Sequence, residues 1–379
     1  MKNIFVLLLT LCGIVGILIY PEVSCDSAEQ AIEMCLTVLV PTLFPFLVLS
    51  GIFIKCGFAE RLGRLLDRFT KKVFCVGGNF SSAMILGLVS GFPVGAKTVS
   101  SLYKNGACSK VEAERTLAFC NNAGPSFILG TVGVGIWQSG KTGWLLWAVQ
   151  IVSAVFVGII VGRIWKGTAD TVVFVNAKNN IPQKQSVLHI FLSSVTDGAV
   201  SMLYICSFVV FFAVAVSLLL HTGLIPSISA AICKLFPFFE RETVENLLVG
   251  IFEMTTGVSR VGNSAPVLQN LAVTSALIGW AGISVHCQVL SYICDGGLSP
   301  KPYFIGKILQ TAFATALIFI CSFLIPGYKA DILPSSEIPQ ISVYALVCGA
   351  VVAFSLTVLF LLLRSKKQTE KTVKFSRKP

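Results

Sequence analysis

The chain is 379 residues long, 55% hydrophobic and only 12% charged, with a formal net charge of +11. A soluble domain of that length needs more charge to cover its surface, and several apolar runs reach the roughly 20 residues that span ~30 Å of hydrocarbon. The chain therefore reads as an all-α polytopic membrane protein. Short alternating strands of a barrel do not appear, and no basic domain, aromatic platform or zinc motif points to nucleic acid.

In chain order, eight spanning helices are predicted, at 4–20, 31–54, 111–136, 143–164, 201–221, 267–293, 304–325 and 341–363. The first is taken as an uncleaved helix, because no A-x-A-like site follows it. Two shorter apolar segments, 80–94 and 244–252, fall below spanning length. Segments 60–69 and 224–236 carry their apolar residues on one face and read as helices lying on the membrane surface.

Loop charge sets the sidedness. Segment 55–72 holds Lys55, Arg61, Arg64, Arg68, Lys71 and Lys72 against Glu60 and Asp67, and the tail from Arg364 holds seven basic residues against Glu370. Both are expected in the cytoplasm. Segments 221–245 and 328–339 each carry a net charge of −1 and are expected outside. An even number of spans then places both termini in the cytoplasm. The thirteen cysteines are scattered through apolar runs without a C-x-x-C pair, and His189, His221 and His286 lie far apart, so neither a metal site nor a cofactor is expected.

The short segments are explained by an internal repeat. Sliding the chain by 163 residues lays "ILGLVSGFPVGAK" (85–97) on "LVGIFEMTTGVSR" (248–260) without gaps. Gly87 then meets Gly250, Lys97 meets Arg260 and Ser101 meets Ser264. With a shorter following loop, "NNAGPS" (121–126) lies on "GWAGIS" (279–284). The loops that precede the two copies differ in charge sign, so the copies are expected to enter the membrane from opposite sides, as an inverted repeat. Non-helical backbone at membrane depth survives only inside protein or beside water. Each short segment is therefore expected to be a re-entrant hairpin, with a binding site near the midplane between the two tips and the broken helices.

"SGFPVGAK" and "AFCNNAGPSFILG" resemble signatures of the YlbJ family of sporulation integral membrane proteins. The wider resemblance is to membrane proteins with the Gate, or nucleoside-recognition, domain, a group that includes concentrative nucleoside transporters. The YlbJ likeness covers about 31–325. It implies a role in sporulation at the spore cortex stage, in the mother-cell or outer forespore membrane, and implies no particular substrate. The expected organisation is an N-terminal helix and outer loop (1–30), a first Gate-like repeat (31–165), a cytoplasmic linker and interfacial helix (166–200), a second, inverted repeat (201–325), a C-terminal helix (326–363) and a basic tail (364–379).

The candidate solute-binding residues are Ser90, Gly91, Pro93, Gly95, Lys97, Asn121, Asn122, Ser126, Glu253, Gly257, Arg260 and His286. Gly91, Pro93, Gly95 and Gly257 are expected to shape backbone, with Gly95 at the turn. Asn121 and Asn122, beside Pro125, can hydrogen-bond a polar solute or coordinate an ion. Lys97 and Arg260 at matching positions favour an anionic or oxygen-rich solute in one shared cavity, unless they snorkel to the interface. Glu253 either pairs with Arg260 or carries a coupling proton or cation. Ser126 and His286 have no second acid or base placed near them, so an enzyme is not expected. The leading reading is a transporter or gated permease for a small polar, nucleoside-like or anionic solute, working by alternating access. The alternative is a non-transporting scaffold of a sporulation complex. The lipid bilayer is the expected partner, and a homo-oligomer is left open.

Overall fold

The computed structural model describes residues 2–165, 186–262 and 267–324, apart from residues 78, 107 and 238. Every regular element among them is a helix. The predicted C-terminal helix and basic tail, and the match of Ser101 to Ser264, lie outside the described residues. Among the described residues, five stretches are long and apolar enough to cross a membrane: Pro21–Phe53, Gly140–Ile164, Val187–His221, Leu268–Asp295 and Lys301–Ser322.

Helix α1 (Lys2–Ile19) is followed at once by α2 (Pro21–Met34), a π-helical stretch π1 (Cys35–Leu39) and α3 (Val40–Lys55). The outer loop expected before residue 31 is thus helical. Pro21 stands at the helix start, where its missing N–H costs nothing, and Glu22 complements the positive end of the dipole. Next come α4 (Phe58–Phe74), α5 (Asn79–Ser90), α6 (Val94–Lys104), α7 (Lys110–Leu117), π2 (Ser126–Ile136) and α8 (Gly140–Ile164). The helix predicted over 111–136 is therefore two pieces, with residues 118–125 between them. Pro125 cannot donate to a preceding turn. Helix α7 is closed at its start by a capping box: Glu112 N–H donates to Ser109 Oγ, and Ser109 N–H donates back to Glu112.

The second half runs α9 (Val187–His221), α10 (Leu224–Leu235), α11 (Arg241–Phe252), α12 (Met254–Gly262), α13 (Val267–Trp280), α14 (Gly282–Asp295) and α15 (Lys301–Leu324). Helix α9 has 35 residues, about 52 Å at 1.5 Å per residue. It takes in residues 187–200, which were expected to be part of a linker and interfacial helix. The order from α3 to α8 recurs from α9 to α15: a long helix, an amphipathic helix, two short helices, an interrupted helix and a long helix.

Two of the three buried clusters among the described residues join the two halves; the third, Val216, Ile225 and Val249, lies within the second half. One joins Phe74, Phe80, Val99 and Phe119 of the first half to Val289 and Tyr303 of the second. The other joins Leu39, Phe127, Ile128 and Leu146 to Leu271, Leu277 and Ile318. Each of these two draws on both halves, so the halves share their cores.

Candidate functional site

Helices α5 and α6 fold back on each other through Gly91, Phe92 and Pro93. Gly91 has φ +74°, a conformation that glycine takes without steric penalty. The turn is therefore at Gly91. Gly95, expected at the turn, lies inside α6, and its missing side chain serves a different end. A Cβ there would fall 2.4 Å from the Cys120 carbonyl oxygen, and one on Gly87 of α5 would fall 1.7 Å from the same atom. The carbonyl of the interrupted helix is wedged against both arms of the pair. Pro93 precedes the first residue of α6, a position that needs no N–H donor.

Helices α11 and α12 fold back through a single residue, Glu253. A Cβ on Gly257 would come within 2.2 Å of the Gly250 Cα, so the arms touch backbone to backbone. The second interruption is at Ala281 and Gly282, both with φ +80°. The interruptions also touch the tips. A Cβ on Gly91 would meet Gly124 N at 2.7 Å, and one on Gly282 would meet Met254 N at 2.9 Å.

Between these four features lies a cavity of about 60 Å³. Its walls include Ser90–Phe92 of the first tip, Glu253–Thr255 of the second, Gly124 and Ser126 of the first interruption, and Ser284 and Gln288 beyond the second. Ser90 Oγ is buried and has no hydrogen-bond partner among the described residues. Glu253 is 1% exposed, and its carboxylate accepts from the N–H groups of Thr255 and Thr256. It caps α12 from within the cavity wall. Leu39, Leu43 and Phe127 supply apolar faces.

A second, polar cavity of about 580 Å³ borders on the first. It is lined by Gln30, Glu33, Thr37, Thr131, Thr256 and Arg260 among others. Thr255 and Leu39 face the small cavity, while their chain neighbours Thr256 and Val38 face the large one.

Other candidates sit elsewhere. Lys97 is exposed and lines neither cavity. Arg260 lines the large cavity and donates from Nε to Asn246 Oδ1 at 2.9 Å. The two therefore do not share a cavity, and Arg260 does not pair with Glu253. The repeat placed them at equivalent positions along their helices, but both lie beyond the tips on arms that diverge to different surroundings. Asn121 and Asn122 are buried but turned inward. Asn121 Oδ1 accepts from Ala96 N–H at 2.8 Å, and its Nδ2 donates to Leu117 O at 3.2 Å. Asn122 Nδ2 donates to Phe119 O at 2.8 Å, and its Oδ1 accepts from Gln310 Nε2 at 2.7 Å. They satisfy backbone that the interruption leaves unpaired. His286 hydrogen-bonds Tyr303 Oη through Nδ1 at 2.7 Å and stands edge-on to Trp280, off the cavity wall.

Sequence reasoning missed Lys307, Gln310 and Gln150. Lys307 is 1% exposed, inside α15. Its Nζ donates to Gly279 O at 3.2 Å and to Gln310 Oε1 at 3.1 Å, and stands 5.3 Å from the centre of the Phe92 ring. Gln310 donates to both Asn122 Oδ1 and Gln150 Oε1, and Gln150 donates to Ser275 O. The signal was a lysine and a glutamine three residues apart within a long apolar helix, which mark an inward face.

These features define a multi-pass, helical membrane protein in which two folded-back helix pairs meet two interrupted helices. Comparison with known proteins points the same way. Residues 36–136 match the Gate family model, described as nucleoside recognition. That span holds the first tip and the first interruption. Over 318 residues the chain is 28% identical to Sporulation integral membrane protein YlbJ of Bacillus subtilis (strain 168), covering 79% of this chain and 78% of that protein. No solved structure matches the chain.

Proposed function

We propose that the chain is a transporter or gated permease for a small polar solute, working by alternating access around the cavity between the two tips. In this reading α5–α6 and α11–α12 are re-entrant hairpins of an inverted repeat, entering from the cytoplasm and from outside respectively. The observation that carries it is the cavity wall itself, to which each tip and the region of each interruption contribute, with an unpartnered Ser90 hydroxyl facing in. The contacts support the sidedness read from charge. Lys55 meets Asp197, Arg115 meets the carbonyls of Cys75 and Trp165, and Glu114 accepts from Ser299 N–H. All of these belong to the cytoplasmic set. Tyr20 packs against His221, and Gly262 lies against Ile136. Those belong to the outer set. Both termini are then cytoplasmic.

The small cavity is lined by one carboxylate, several hydroxyls and an amide, with no basic side chain. That chemistry suits a neutral or cationic solute rich in hydrogen-bond donors better than an anion. At about 60 Å³ the space holds a few waters, each needing at least ~10–15 Å³. A nucleoside enters only if the tips part. The likeness to YlbJ supports a role in sporulation, in the cell membrane of the mother cell or the outer forespore membrane. The binding role carries no catalysis.

The test uses Ser90→Leu, which fills the cavity, and Glu253→Gln, which removes its charge. Spore formation is scored beside membrane abundance. Both variants should remain in the membrane and lose function. If both are abundant and support spore formation as the unmodified chain does, the cavity is not a solute site and the scaffold reading replaces transport.

A further inference from the structure

We infer that Lys307 is a tethered cation filling a monovalent-cation site that the fold has built around its ammonium group. The inference does not need the transport reading. The ammonium group is met by two neutral oxygens and one ring face, groups that also receive small cations. Gly279 O is one of the last carbonyls of α13, at the negative end of the helix, where no further turn supplies a donor. Gln310 Oε1 is a second neutral oxygen, and the Phe92 ring presents a π face at 5.3 Å. Lys307 has no ion pair among the described residues, and it is 1% exposed, so its charge is met by dipoles and not by a counter-ion.

The site's position gives the cation a task. Phe92 belongs to the first tip and lines the small cavity. Gly279 lies two residues before the second interruption. Gln310 continues to Asn122 of the first interruption. One ammonium group on α15 thus joins the first tip to the second interruption, and through Gln310 reaches the first as well. An ion free to leave would make that joint conditional on salt. A lysine ties that joint to the chain itself and needs no ion from solution.

The experiment is thermal unfolding of the purified full chain in detergent, at equal ionic strength in NaCl, KCl, NH4Cl or choline chloride. Choline is too large for the site. The unmodified chain should unfold at the same temperature in all four salts, because its site is already filled. Lys307→Ala empties the site while leaving Gly279 O and Gln310 in place. It should unfold at a lower temperature in choline and gain roughly 2 °C in at least one of the small-cation salts, as expected for a ligand present at about ten times its Kd. Lys307→Met fills the space without charge and should not respond. The inference is overturned if Lys307→Ala responds to none of the three small cations, or if Lys307→Met responds as strongly as Lys307→Ala. It is also overturned if the unmodified chain is itself stabilised by one of the cations over choline, a result that needs no variant to fold.

Discussion

Gln310 on α15 donates to Asn122 in the first helix interruption at 2.7 Å, across 188 positions of sequence. One amide pair therefore fastens the irregular backbone of the first half to a regular helix of the second. Asn122 also accounts for the Phe119 carbonyl. Asn122→Ala should cost about 1–3 kcal/mol, because it leaves a buried carbonyl without its donor. A double-mutant cycle with Gln310→Ala, read by thermal unfolding, should return a coupling of about 0.5–2 kcal/mol. Additive losses would mean that the two amides do not act together.

The wedged carbonyl of Cys120 makes a second prediction. Gly87→Ala and Gly95→Val each drive a methyl group into that oxygen. Each should destabilise by about 1–3 kcal/mol or more through overpacking and lower membrane abundance. Gly13→Ala has nothing within 4 Å of its new Cβ and should be neutral or slightly stabilising, since alanine favours a helix. Equal abundance of all three variants would show that α5 and α6 do not close on the interruption.

Charge outside the small cavity should matter little there. Lys97→Met is expected to keep spore formation near the level of the unmodified chain, since Lys97 is exposed and lines neither cavity. Arg260→Met should weaken function, because it removes the hydrogen bond to Asn246 and a charge from the large cavity. Matching outcomes for the two, whether loss or retention, would contradict this asymmetry.

Thiol labelling tests sidedness. Cys75, Cys294 and Cys25 are exposed, and the proposed topology puts the first two on the cytoplasmic side and Cys25 on the outer side. An impermeant maleimide applied to intact cells carrying single-cysteine chains should label Cys25 and spare Cys75 and Cys294. Opened cells should allow all three. Cys108 should stay unreactive in either case at pH 8. Burial pushes its thiol up to about 12, with Glu112 adding to the rise, so almost no thiolate forms below that pH. Rapid labelling of Cys108 at pH 8 would show that the α6–α7 loop is open.

The places where the chain must stop being helical were legible, and most of the partnerships were not. Gly91 and Pro93 cannot continue a helix comfortably, and neither can Gly124 and Pro125, so their positions follow from backbone chemistry alone. The lateral slide by 163 residues that set Gly87 on Gly250 also set Gly124 on Gly282 and Ser126 on Ser284 once the shorter loop was allowed. In space, both of those glycines touch a tip and both serines line the small cavity. The direction of a side chain around its helix was out of reach. Asn121 and Asn122 looked available for a solute because neighbouring amides are rare in apolar helices, yet the carbonyls beside them claim both. Lys307 and Gln310 left a signal in their three-residue spacing within an apolar helix, but not the identity of their partners, which come from both halves of the chain. Glu253 stood out as a lone carboxylate near the second tip, but its local partners, the N–H groups of Thr255 and Thr256, were not foreseen in place of Arg260.

The neighbouring pairs Val38–Leu39 and Thr255–Thr256, each with one residue on either cavity, give the proposed route unequal ends. On the side proposed to face out, the large cavity reaches the neighbours of residues that line the small one. On the side proposed to face the cytoplasm, the first half's Phe80, Ala83, Val99 and Phe119 pack with Tyr303 of the second in one buried cluster. On that proposed route, opening outward disturbs the arm of α12, whereas opening inward disturbs a core that both halves share.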